Sequence, residues 1–242
     1  MTKIYWTPLD DGTPEMQILF AEPENLFKHL QKTRTGSVHM RCPAFVDFIK
    51  NTYVIKSPFN IQIYVNRKTK SLKINGVPET IINKFIINRI HMSGEKSPAV
   101  LTLPPSYIFY SDDDVQIETI HAFMETNDSV SNLMLIPGTY NISKWIRAVD
   151  FSFEVKNDIK IIDIKKDDVL FYVKFKTKNE SKVELERVPM TVELNRAMLS
   201  CVYVKNSISN LSLKTLYTMA ESFMSTLTFK KTKKCPFGFG KK

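Results

Sequence analysis

The sequence predicts a mostly β protein, a two-layer antiparallel sandwich or jelly roll with a few helices, including one near the C-terminus. Apolar residues alternate with polar ones along many short segments, and a period of two places one face of a strand in a core. Turn-forming residues separate several of these segments. A chain of 242 residues, of which 43% are hydrophobic, is long enough to bury one large core.

Six segments show the alternation most clearly; they are residues 61–65, 72–74, 115–119, 151–155, 169–175 and 183–185. Residues 66–70 separate the first two, and Asn75-Gly76 follows as a dipeptide suited to positive φ, which predicts a small meander over 60–78. Residues 165–168 predict a second hairpin, between 159–164 and 169–175. With residues 146–155, this hairpin would form three consecutive antiparallel strands. Residues 104–105 and 112–114 are interpreted as loops flanking a strand.

Three helices are expected, and two of them precede the predicted sheets. Apolar residues three and four apart after Pro23 predict a helix to residue 32, and a second begins at Pro43. The clearest helix spans 212–225, with Ser212 as N-cap and an apolar stripe that should lie against a sheet. We therefore expect one β-rich domain over 1–228 with an N-terminal helical embellishment, and a basic tail over 229–242.

The net charge of +9 is concentrated in that tail, which has no acidic residue. Its six lysines account for +6, so the first 228 residues carry +3. The tail is interpreted as a solvated terminus or as a contact to phosphate or an acidic partner, so nucleic acid is one expected partner. The predicted partner-binding residues are Lys230, Lys231, Lys233, Lys234, Lys241 and Lys242.

The sequence predicts a cytoplasmic protein with no membrane segment. The first residues lack the apolar stretch of a signal peptide, and no run of about 18 apolar residues occurs. The three cysteines, Cys42, Cys201 and Cys235, are an odd number scattered over a large chain, which favours a reducing compartment. Trp6 and Trp145 are interpreted as core or rim anchors.

Motifs for nucleotide-dependent and serine-hydrolase chemistry are absent. Apart from Gly238 and Gly240, no two of the seven glycines lie close together, so no phosphate-cradling loop is available. No serine occupies a Gly-x-Ser-x-Gly elbow. No cofactor is expected.

The metal-ligand candidates are few, and none has the spacing of a known metal motif. They are His39, Cys42, His91, His121 and Glu125. His39 and Cys42 form a His-x-x-Cys pair that Cys235 would meet if the tail folds back, but a zinc site would still need a fourth ligand that the sequence does not show. His121 and Glu125 would converge only on a helix. The alternative interpretation makes Cys42 a small buried residue before a helix and His121 a member of a packed strand face.

Several segments in order resemble a family of uncharacterised β-rich proteins of tailed phages, including T4-like phages of marine cyanobacteria, and of some bacteria. The resemblance covers residues 38–176 and is carried by residues 41–45, 53–58, 101–105 and 146–175. It implies a phage source, with the host cytoplasm or the virion as location, and it implies no catalytic residue.

The leading hypothesis is a non-enzymatic phage accessory or structural module that binds a host or virion protein and forms an oligomer. The absence of catalytic motifs beside a strong sandwich pattern favours it. One alternative is a metal-dependent, oxygenase-like jelly-roll enzyme with ligands among His39, His91, His121 and Glu125. A second is a nucleic-acid-binding protein that uses the basic tail.

Overall fold

The structure is a computed structural model that describes residues 1–9, 20–83, 90–91, 98–127, 131–156, 158–207 and 211–226. Over these ranges the protein is mostly β, which confirms the predicted fold class. The predicted basic tail and its six lysines lie outside the described residues. No helix among the described residues is long and apolar enough to cross a membrane.

The described strands and helices follow one another in a mixed order along the chain. The strands are β1 (Thr2–Pro8), β2 (Glu24–Asn25), β3 (Thr52–Lys56), β4 (Ile61–Asn66), β5 (Ser71–Asn75), β6 (Ile90–His91), β7 (Ala99–Tyr110), β8 (Val115–His121), β9 (Leu133–Leu135), β10 (Thr139–Asn141), β11 (Ala148–Val155), β12 (Ile161–Ile164), β13 (Val169–Thr177) and β14 (Val183–Arg187). The helices are α1 (Leu26–Thr33), α2 (Pro43–Phe48), α3 (Glu79–Ile81), α4 (Val192–Ser207) and α5 (Leu213–Thr226), with a 3-10 turn over Val38–Arg41.

The strands form two larger sheets and a small third one. Sheet A has the order β14-β1-β7-β11-β9, with β6 also paired to β7. Sheet B has the order β10-β8-β13-β3-β2, and sheet C has the order β12-β4-β5. All pairs are antiparallel except that β1 lies parallel to β14, so the first and last described strands are neighbours at one edge of sheet A.

Sheets A and B face each other across one apolar core, to which sheet C also contributes. Aromatic rings make contact between the two layers. Phe151 of sheet A stacks on Phe171 of sheet B with ring centroids 5.5 Å apart, and Phe109 meets Phe175 edge to face at 5.3 Å. These contacts between facing layers define a sandwich.

Helices cover the outer faces of both large sheets. On sheet A, α4 and α5 form a second cluster with Ile108 and with Trp145, a buried residue as predicted. On sheet B, Leu26 and Leu30 of α1 pack near Tyr172 of β13 in a third cluster. Each large sheet is therefore buried on both faces over part of its area.

The three predicted helices are present, and two further helices, α3 and α4, were not predicted. Residues 26–33 and 43–48 form α1 and α2, and Ser212 caps α5 by accepting a hydrogen bond from the Thr215 N–H at 3.2 Å. Of these two, α3 is a single turn and α4 is the long one. It carries apolar residues on most of its circumference, so its sequence lacks the one-sided period that marks an amphipathic helix.

The hairpin of the predicted meander is confirmed. Strands β4 and β5 pair from Gln62–Asn75 to Asn66–Ser71, and Gly76 follows with φ of +93°. A Cβ on Gly76 would lie 2.5 Å from the main-chain oxygen of Asn60, so this position requires glycine for both conformation and space.

The second predicted hairpin is wrong, although its strands exist. β12 pairs with β4 in sheet C, whereas β13 pairs with β3 and β8 in sheet B, and β11 belongs to sheet A. The turn at 165–168 therefore passes the chain from one sheet to another. Alternation specifies which face of a strand is buried, but it does not specify the neighbouring strand.

The interpretation of residues 104–105 as a loop is also wrong, because both prolines lie inside β7. Opposite them the pairing with β11 jumps from Tyr107–Val149 to Leu103–Phe151. A proline has no N–H to donate, and this irregularity accommodates the two missing donors. The acidic residues 112–114 do lie in an exposed turn, between β7 and β8.

Candidate functional site

The metal-ligand candidates lie on separate elements. His39 is in the 3-10 turn, Cys42 precedes α2, His91 is in β6 and His121 ends β8. All four are exposed. Cys235 lies outside the described residues, and among the residues that the structure describes no group of three or more His, Cys, Asp or Glu side chains is placed to hold a metal ion.

Two burial predictions are wrong. Cys42 does precede a helix that begins with Pro43, but it is exposed, because it follows a 3-10 turn that buries none of its residues. His121 is exposed because burial decreases along β8. Val115 and Ile117 are fully buried, whereas the strand is only partly covered beyond them and ends at His121.

Glu125, the fifth candidate, approaches His29 instead of His121. His29 is 5% exposed, and its ring lies between two carboxylates. Its Nδ1 is 3.3 Å from Oε2 of Glu24, and its Nε2 is 3.5 Å from Oε1 of Glu125. The second contact lacks hydrogen-bond geometry, and the hydroxyl of Tyr172 donates to the same Glu125 oxygen at 3.3 Å.

Both carboxylates have a pKa below the ordinary value for glutamate. Burial raises the pKa of Glu24, but hydrogen bonds from Lys32 at 2.6 Å and Lys56 at 2.8 Å outweigh it and lower the pKa to about 2. The interaction with His29 lowers the pKa of Glu125. Burial and the nearby Glu125 charge raise the pKa of the Tyr172 hydroxyl, which therefore stays a hydrogen-bond donor at neutral pH.

This arrangement is suited to holding elements together. The two carboxylates lie at opposite nitrogens of one imidazole, so they cannot chelate a single ion with it. They connect β2 and α1 with the segment after β8, and Lys56 adds β3. We refer to Glu24, His29, Lys56, Glu125 and Tyr172 as the His29 cluster.

A long groove runs beside β14, between it and the elements that cover sheet B. Its two halves have volumes of about 900 Å³ and about 640 Å³ and share four lining residues, Asn25, Phe27, Lys182 and Val183. We call this surface the β14 groove. Its apolar lining consists of Met1, Pro23, Phe27, Pro43, Val46, Ile49, Tyr53, Val183 and Leu185.

The main chain of β14 is partly open toward this groove. In the described chain β14 is the outermost strand of sheet A, bonded to β1 on one side. The Val183 N–H donates to Oδ1 of Asn51 at 2.9 Å, and its carbonyl accepts from the Tyr53 hydroxyl at 3.2 Å. The parallel register directs the N–H and C=O groups of Leu185 and Arg187 away from β1 in the same way.

The charges along the groove balance. Among the described residues, four acidic and four basic ones line it, namely Glu22, Glu24, Asp47 and Glu184 with Lys28, Lys32, Lys50 and Lys182. Several of them are already paired within the chain, as Lys32 is to Glu24. The groove therefore attracts neither strongly acidic nor strongly basic ligands and offers main-chain and apolar contacts instead.

Comparisons of the chain with protein-family models, curated proteins and solved structures found no match.

Alternation predicts a strand at 183–185, which corresponds to the start of β14. It did not reveal that β14 is the outermost strand of sheet A among the described residues, because that depends on pairing with β1 about 180 residues away. Nor did any local signal link His29 to Glu125.

Proposed function

We propose that this chain is a non-enzymatic binding module that receives an extended segment of a partner protein in the β14 groove. The position of β14 as the outermost strand of sheet A in the described chain, beside an apolar groove, carries the proposal. The resemblance of residues 38–176 to phage proteins supports a phage accessory or structural role, with a host or virion protein as the partner.

Binding would proceed by strand addition to sheet A. The partner's main chain would bond to the N–H and C=O groups of Leu185 and Arg187, and alternate partner side chains would point into the groove. Phe27 and Tyr53 would contact those side chains. Main-chain bonds supply part of the affinity in such complexes, and the pockets for alternate side chains supply specificity.

Because the charges of the groove balance, the salt dependence of the affinity distinguishes binding in the groove from binding by the lysine tail. Affinity at a neutral groove should change little with salt, whereas contacts from six lysines to phosphates weaken steeply as salt rises. An affinity that stays within about threefold between low and moderate salt is therefore expected.

The test selects peptides from a random display library against the full chain and measures the affinity of a selected peptide by fluorescence anisotropy. The variant Leu185→Pro removes the outward N–H of Leu185 and leaves the hydrogen bonds between β14 and β1 intact. We expect this variant to bind at least about tenfold more weakly. The matched control Leu185→Ala shortens the same side chain but keeps the N–H, and it should lose less.

Equal binding by wild type and Leu185→Pro, with unchanged circular dichroism, would contradict the proposal. So would an affinity that falls steeply with salt and disappears when residues 230–242 are deleted, because that result would favour the tail. Stoichiometric iron or zinc in the purified chain would favour the jelly-roll enzyme instead.

A further inference from the structure

Helix α4 is apolar on two sides. Its inner side packs into the cluster on sheet A through Leu194, Ala197, Met198, Cys201 and Val204. Its outer side carries large apolar residues at the surface, with Val192 62% exposed, Leu199 53% and Tyr203 66%. A helix that is apolar around most of its circumference is normally covered on both sides.

The exposed residues form one stripe. Val192 precedes Leu199 by two helical turns, and Tyr203 follows Leu199 by about one, so their side chains lie within about 40° of one another around the axis. Arg196 borders the stripe on the same side as Tyr203. We call Val192, Arg196, Leu199 and Tyr203 the α4 stripe.

We infer that the α4 stripe binds the α4 stripe of a second copy of this chain, with the two helices antiparallel and the twofold axis close to Leu199. In this arrangement Leu199 of one chain contacts Leu199 of the other chain. Arg196 lies three residues before the axis and Tyr203 four residues after it, so each arginine comes opposite the partner's tyrosine to within about 1.5 Å along the helix.

The electrostatics of the stripe favour this pairing. A guanidinium over a tyrosine ring is attracted by the negative face of the ring, and the symmetric pair would contain two such contacts. Antiparallel helices also place opposite ends of their dipoles side by side. The stripe is thus complementary to itself under a twofold rotation, as an isologous interface requires.

A contact built mainly on one helix is smaller than the roughly 800 Å² per partner of a standard stable interface. We therefore expect a reversible dimer whose population rises with concentration. This association involves a different surface from the β14 groove, so peptide binding and dimer formation can be tested separately.

Sedimentation equilibrium of the full chain from about 1 μM to about 500 μM should show a shift from the 28.0 kDa monomer toward the dimer. Leu199→Glu, which keeps a good helix former but places two carboxylates at the axis, should keep the chain monomeric throughout. The matched control is Ile161→Glu, which alters a residue of similar exposure, 50%, in sheet C and should leave the association unchanged.

A pair of variants tests the orientation. Tyr203→Lys places a cation opposite Arg196 of the partner and should abolish the dimer, whereas Tyr203→Glu offers Arg196 a carboxylate and should preserve it. A monomer at every concentration, or equal effects of Leu199→Glu and Ile161→Glu, would overturn the inference. Identical behaviour of the two Tyr203 variants, both correctly folded by circular dichroism, would overturn the antiparallel pairing.

Discussion

Glu24→Gln should destabilise the chain, because Glu24 is the charged centre of the His29 cluster. The wild-type carboxylate accepts hydrogen bonds from Lys32 and Lys56 and contacts the His29 ring. Glutamine keeps the size of the side chain and removes the charge. Lys56, whose side chain is only 22% exposed, would then lose its ionic partner.

The magnitude follows from the pKa of Glu24. A fall from 4.5 to about 2 corresponds to at most roughly 3 kcal/mol of stabilisation at neutral pH. The Glu24 side chain is one-fifth exposed and Lys32 is largely in solvent, so screening reduces this to about 1–2 kcal/mol. In a chain of this size that corresponds to a loss of about 2–8 °C in Tm.

The pH dependence has a definite sign. Because the pKa of Glu24 is lower in the folded chain, its stabilisation is complete above about pH 4.5 and is lost as the pH falls toward 2. The difference in unfolding free energy between wild type and Glu24→Gln should therefore be constant near neutral pH and shrink below 4.5. Urea denaturation followed by tryptophan fluorescence at several pH values measures it.

Glu186→Gln is the control, because Glu186 pairs with Lys3 in an exposed ion pair at 3.0 Å. It should leave the unfolding midpoint unchanged within error. If Glu24→Gln and Glu186→Gln have the same effect, or if the Glu24→Gln difference persists unchanged to pH 3, the reasoning about the His29 cluster is refuted.

Two further substitutions test the turn and the histidine positions. Gly76→Ala should destabilise the chain by at least about 1–3 kcal/mol in thermal denaturation, and by more than Gly36→Ala, since both glycines have positive φ but only Gly76 is also crowded. His121→Ala should change stability by less than about 0.5 kcal/mol, because the ring is exposed. It should also leave the metal content per chain, measured by elemental analysis, unchanged; loss of one equivalent of metal would instead support the jelly-roll enzyme.

Much of the fold could be predicted because its causes are local. Alternation at 61–65 and 72–74 determines which side chains of β4 and β5 face the core, and residues 66–70 supply the turn between them. The cap at Ser212 and the stripe that follows it predict α5 for the same reason. These signals act within a few residues, so they can be read without knowing the rest of the chain.

The candidate site was much less predictable. The β14 groove depends on the parallel pairing of β14 with β1, and on α1 and α2 coming to lie beside that edge. The His29 cluster joins Glu24 and Glu125 across about 100 residues. No periodicity or spacing records such contacts, because they form only when the whole chain packs.

The sequence by itself determined that this is a β-rich chain, which face of most strands is buried, and where its clearest turns and caps lie. Only the tertiary structure decided which strands are neighbours, which strand is left at an edge, and which helix keeps an apolar face at the surface. The physical reason is that hydrophobic burial constrains each segment to put certain side chains inside. Many pairings satisfy that constraint equally well locally, and only packing of the complete core selects one of them.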